Sequence, residues 1–118
     1  MVVKPGPLRQ ILQEGKDLEI RHWPCRKWIG KRMWLSESSS FCVTAKAVVV
    51  AIYGPLSERE WNAARGRHMV KGARLYGART HAWELRQVER VHPPIPIGRK
   101  KGSLYQLGPK GAAKTTRK

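Results

Sequence analysis

The stretch from Phe41 to Tyr53 constrains the fold of this 118-residue chain more than any other. Val43, Thr44, Val48, Val49, Val50 and Ile52 are β-branched, and such side chains pack well on a pleated surface while losing rotamer freedom in a helix. The run therefore reads as the central strand of a sheet. Its uninterrupted apolar part, Ala47 to Tyr53, is the longest in the chain at seven residues. A membrane-spanning helix needs about 20, so no such helix is expected. Gly54-Pro55 ends the strand.

Punctuation divides the remainder. Leu8, Ile11 and Leu12 share one helical face between Pro7 and Gly15, which predicts a short amphipathic helix. Leu18-Glu-Ile-Arg21 alternates as a half-buried strand, and Arg32 to Glu37 reads as another. Ser57 followed by Glu60 is a capping box, with Leu56 and Trp61 placed as its hydrophobic staple. That helix is expected to run to Arg65 and stop at Gly66. Gly72 and Gly77 mark a mobile basic connection. Thr80 to Val91 reads as a strand broken by a bulge or bend. Pro93-Pro-Ile-Pro96 lacks ladder donors and reads as an extended edge or loop. Ser103 to Leu107 is a candidate closing strand. The expected architecture is a small α+β or barrel-like domain over residues 1–107, with two short helices and a basic, disordered tail over 108–118.

Charge narrows the choice of partner. Lys and Arg number 24 against 8 Asp and Glu, a formal net charge of +16. The tail does not account for it, because residues 1–97 carry 17 positives and all 8 negatives. Self-repulsion of this size is relieved by a polyanion, and nucleic acid is the expected one. Cys25 and Cys42 form neither a C-x-x-C pair nor a stapled framework, and the opening Met1-Val-Val-Lys-Pro-Gly-Pro has no apolar segment resembling a leader. A reducing, cytoplasmic location is expected. His22, His68, His81 and His92 show no helical pairing and neither Cys stands at ligand spacing, so no metal and no cofactor are expected.

Lys16, Glu19 and Arg21 form the candidate site. On a strand, residues two apart share a face, so Glu19 and Arg21 point together while Ile20 points into the core, and Lys16 reaches the same side from the preceding turn. The guanidinium can grip a phosphate in a fork, the ammonium supplies a point charge, and the carboxylate orients either cation or accepts from a base amino group. The alternative is a surface ion-pair trio with no function. Trp23, Trp28 and Trp34 are interleaved with Arg26, Lys27, Lys31 and Arg32, a mixture of rings and cations suited to single-stranded RNA. Trp34, Trp61 and Trp83 are equally candidates for the core.

These residues resemble a known family. Gly15-Lys-Asp-Leu-Glu-Ile-Arg21 is similar to the K-x-x-E-x-R signature of ASCH domains, small PUA-like β-barrels, although the family's Lys usually follows its Gly by two. Further similarities follow in order: Arg26 to Lys31 with the strand after it, Leu56 to Trp61, His81-Ala-Trp-Glu-Leu85, and Pro94-Ile-Pro96 with Gly98 and Gly102. The resemblance covers residues 8 to 107. It implies a barrel whose cleft binds RNA, with Tyr105 at the cleft rim. Some relatives are hydrolases that deacetylate modified cytidine or cleave RNA. The deacetylating set is a Lys, a Thr three residues on and a distant Glu. Lys16 matches the first, but Glu19 replaces the hydroxyl, and the spacing does not choose between Glu60 and Glu84. Three readings follow: an RNA-binding module, a hydrolase using Lys16 and Glu19, and a structural basic protein of a nucleoprotein particle.

Overall fold

The computed structural model describes residues 1–97. The expected strand Ser103–Leu107, Tyr105, Gly98, Gly102 and the basic tail lie outside them. Five strands form one sheet: β1 (Val2–Val3), β2 (Leu18–Arg21), β3 (Arg32–Glu37), β4 (Cys42–Tyr53) and β5 (His81–Pro96). Their order is β1-β3-β4-β5-β2, so the apolar run does hold the centre. All pairings are antiparallel except β1 with β3. Among the described residues the sheet is open, with β1 and β2 as its edges, so the α+β class holds while the expected barrel does not close. A side chain spans the opening: Arg21 Nη2 on β2 donates to the Val2 carbonyl on β1.

β4 shows why a strand can be long and still bury one face. Val43, Ala45, Ala47 and Val49 point inward, then a register shift against β5 between Val49 and Ala51 re-phases the strand so that Ile52 is the next buried residue. Ala45, Ala47, Val49 and Ile52 pack with Met33, Leu35, Trp83, Leu85 and the helical Leu8 and Ile11 into the main core. A second, smaller cluster joins Leu18, Ile20, Leu56, Trp61 and Ala82. The first five residues of β5, His81–Leu85, are all buried, because Trp83 and Leu85 enter the main core while Ala82 enters the smaller one. The bend expected in this strand falls at Gln87, whose φ is 51°. β5 continues through the prolines to Pro96. Among the described residues its far half is laddered on β4 alone, where Ile95 lies opposite Val43, so the missing proline donors leave no second described neighbour unserved.

The helices depart further from expectation. α1 (Pro5–Arg9) places its prolines in the first turn, where no intrahelical donor is needed, and widens into a π-helical turn over Gln10–Glu14. Gly15, at φ 83°, ends it and turns the chain so that the Lys16 amide donates to the Gln10 carbonyl at 3.1 Å. α2 (Glu58–Ala63) starts at the predicted capping box, and Leu56 and Trp61 share the smaller core cluster. Gly66 does not stop the helix. After a break at Ala64 a further turn, α3 (Arg65–His68), ends at Met69 with φ 58°. The His68 ring stacks on Trp61 at 3.8 Å, and this contact outweighs a glycine propensity penalty of about 1 kcal/mol.

Two glycines give opposite expectations. A Cβ on Gly54, at φ 136°, falls 2.6 Å from His81 Cδ2, whereas one on Gly66 meets nothing within 4 Å. Gly54→Ala is predicted to cost at least about 1–3 kcal/mol in denaturant unfolding, while Gly66→Ala is neutral or stabilising by up to about 1 kcal/mol.

Candidate functional site

Gly15 delivers Lys16 to the start of β2, and the pleat turns Glu19 and Arg21 toward it. Lys16 Nζ lies 3.9 Å from Glu19 Oε1, and Arg21 Nε lies 3.8 Å from Glu19 Oε2. Lys16 is only 2% exposed and Glu19 7%, so this is no surface trio. The ammonium donates to the His68 carbonyl on α3. Arg21 Nε is buried with no hydrogen-bond acceptor among the described residues. Burial lowers the Lys16 pKa, with the Glu19 charge opposing it. Burial likewise pushes the Glu19 carboxyl up, against the pull of Arg21 and then Lys16. Desolvation therefore weakens the charged form of both members.

The three groups border one cleft of about 340 Å³. Its other walls include Val2 and Lys4 from the first strand and turn, and Val70, Leu75 and Tyr76 from the connection after α3. Lys4 is exposed and makes no ion pair among the described residues. These wall residues escaped the sequence reading. The available signal was the apolar pair Leu75-Tyr76 inside a basic, glycine-bounded loop that read merely as a connection.

The remaining predicted residues go elsewhere. Arg26, Lys27 and Lys31 are exposed around a 3₁₀ turn, Arg26–Trp28, and none of them lines the cleft. Arg32 is exposed on β3 and pairs with Glu89 at 2.9 Å. Trp28, expected as a contact, packs instead against the main core because its turn caps that end of the sheet, leaving its Nε1 without a partner among the described residues. Trp34 is half-buried on β3, and Trp61 and Trp83 are core. Trp23 remains 54% exposed. His22 lies between Trp23 and Tyr76, with ring centroids 6.3 and 5.3 Å away.

Neither candidate distant carboxylate reaches the cleft. Glu60 is exposed and caps α2 with Ser57. Glu84 belongs to a separate polar network: Tyr53 donates to it at 2.5 Å, Arg67 pairs with it at 3.2 Å, and Arg86 pairs with it as well. Arg67 and Arg86 also hold Asp17, at 3.0 and 3.1 Å. The Tyr53 hydrogen bond, followed by the two guanidinium groups, holds the Glu84 carboxyl below its ordinary range. Among the described residues no group of three or more His, Cys, Asp or Glu is placed to hold a metal ion.

No family model and no curated protein matches the sequence. Solved structures do. The ASCH protein of Zymomonas mobilis superimposes with a TM-score of 0.72 at 16% identity, covering 99% of this chain and 91% of that one. A single-site mutant of the same protein gives 0.73 at 14%, covering 99% and 92%. The chain has the ASCH fold. At these identities the likeness fixes the path of the backbone, and the chemistry of this chain rests on its own residues.

His68 supplies a direct check on how the cleft is held. Val70 N–H donates to Nδ1 at 2.9 Å, so the proton sits on Nε2, which faces the Trp61 carbonyl at 2.9 Å. The neutral ring is favoured and burial lowers its pKa from 6.5. Its contribution to stability is therefore present above pH 6.5 and is lost as pH falls through the folded-state value. The melting temperature is predicted to fall on acidification from pH 7 to pH 5 with a steeper slope in the wild type than in His68→Gln. Parallel slopes would show that the imidazole resists no proton.

Proposed function

We propose that this ASCH domain is an RNA-binding module that takes a nucleotide in the Lys16–Glu19–Arg21 cleft. The observation that carries this reading is convergence: two cations and one carboxylate, drawn from a turn and a strand, line a single concavity in a chain of net charge +16. Burying charges is costly, and a fold seldom keeps a largely buried Lys–Glu–Arg set at a cleft for stability alone. Among the described residues Arg21 Nε has no acceptor there, and Lys4 adds a cation without an ion pair at the same cleft. Volumes of about 300 Å³ and above are typical of small-ligand pockets, so the concavity suits one nucleotide and not a duplex. The family resemblance in the motif, which implies RNA binding, supports the same reading.

A second reading, hydrolysis of RNA or of a modified nucleoside, has one observation in its favour. Lys16 is a buried amine whose pKa is lowered, which enlarges the neutral fraction able to accept a proton. The hydroxyl expected three residues on is absent, and Glu60 and Glu84 are outside the cleft, so a deacetylase-like set is not assembled. A ribonuclease using Lys16 as base predicts a cleavage rate that rises with pH through a value below 10.5 and vanishes in Lys16→Met.

Two arginine substitutions test the binding reading at equal net charge. Arg21→Ala removes a cleft cation, and Arg59→Ala removes an exposed one outside the cleft. Arg21→Ala is predicted to weaken single-stranded RNA binding by about tenfold, in the range of a charge-assisted hydrogen bond, with Arg59→Ala within about twofold of wild type. Log K should fall linearly with log salt at about −0.7 per phosphate contacted. Equal losses in both variants would make the chain a cationic surface without a site.

A further inference from the structure

Three exposed rings run outward from the cleft. Tyr76, 39% exposed, lines it; His22 is next at 5.3 Å between centroids; Trp23, 54% exposed, follows at 6.3 Å. Exposed tryptophan is uncommon in a chain that otherwise sinks Trp61 and Trp83 into its cores. The row is also fixed in place. The Trp23 carbonyl accepts from the buried Trp83 Nε1 at 2.8 Å, and the Tyr76 amide donates to Thr80 Oγ1 at 3.2 Å while its carbonyl accepts from the Arg79 amide at 3.0 Å.

Charge says what the row faces. Residues 20–36 and 61–83, which carry all three rings, contain no Asp or Glu and five Lys or Arg each. Rings carried on two segments that hold cations and no acids match a polyanion that presents flat faces. Bases in a duplex are already stacked on one another, whereas a single strand offers its faces freely.

We infer that Tyr76, His22 and Trp23 form a stacking track that receives the bases flanking the nucleotide held in the cleft, so that the ligand is single-stranded RNA several nucleotides long. This rests on the reading that the cleft takes a nucleotide. The cleft then contributes the grip on one residue of the strand, and the track contributes length and strand selectivity. A free nucleoside uses only the first part.

The test uses the full chain, the four ribonucleoside 5′-monophosphates, the matching homotetramers and a duplex, titrated at two salt concentrations. The best tetramer should bind about tenfold or more tightly than its mononucleotide and more tightly than the duplex. Trp23→Ala should lower tetramer affinity by about fivefold or more, leave mononucleotide affinity and the salt slope unchanged, and be largely rescued by Trp23→Phe. Because the Trp23 side chain is exposed and its anchoring contact is made by the backbone, the fold should survive, which circular dichroism checks. An unchanged tetramer affinity in Trp23→Ala overturns the track while leaving the cleft reading intact. Failure of the wild type to bind mononucleotide or tetramer removes both. Self-association that Trp23→Ala abolishes, with RNA affinity intact, makes the row a protein contact and overturns the proposal as well.

Discussion

A lysine ammonium taken out of water must be met by acceptors, because the residual cost of burying an ion is several kcal/mol. Lys16 meets this demand with the His68 carbonyl and the Glu19 carboxylate, and much of the molecule serves to keep those two acceptors in place. Glu19 is held by the β2–β5 ladder, opposite Trp83. The His68 carbonyl is held by α3, a single turn that has no stability of its own. That turn is fastened from two sides. The His68 ring stacks on Trp61, and the Arg67 side chain grips Asp17 and Glu84. The Arg67 carbonyl also accepts from the Asp17 amide, next to Lys16. The Tyr53–Glu84–Arg86 network is thus coupled to the cleft through one helical turn.

This arrangement explains why the same cluster holds both a weakened base and a weakened acid. The desolvation that lowers the Lys16 pKa also raises that of Glu19, and each opposes the other's shift. Cleft and surface divide the charge differently. Within the cleft one carboxylate is balanced against Lys16 and Arg21, whereas Arg26, Lys27 and Lys31 stay in solvent. Such solvated cations attract a polyanion at long range and are screened by salt, while a buried set discriminates at contact.

Much of the fold was legible in local chemistry. The β-branched run placed β4, the alternation of Leu18-Glu-Ile-Arg21 placed β2, and the capping box placed the start of α2. Each signal is short-range and is decided by the residues that carry it. The failures share an opposite cause. Gly66 reads as a stop, but the Trp61–His68 stack lies seven residues apart and continues the turn. Trp28 reads as a contact ring among cations, but its turn folds over the core. The prolines after His92 read as unable to ladder, but among the described residues that half of β5 has β4 as its one neighbour. The site was half legible: the motif located Lys16, Glu19 and Arg21, while the wall formed by Val70, Leu75 and Tyr76 depends on how a connection packs across the sheet edge, which local pattern does not encode.

Amide chemical-shift mapping during titration with a ribonucleoside monophosphate tests the central claim most directly. If the buried trio receives a nucleotide, the largest shifts fall on Lys16, Glu19, Arg21, Val70 and Tyr76, on both sides of the hollow. Shifts confined to the exposed stretch from Arg26 to Arg32, with the cleft amides unmoved, would contradict it.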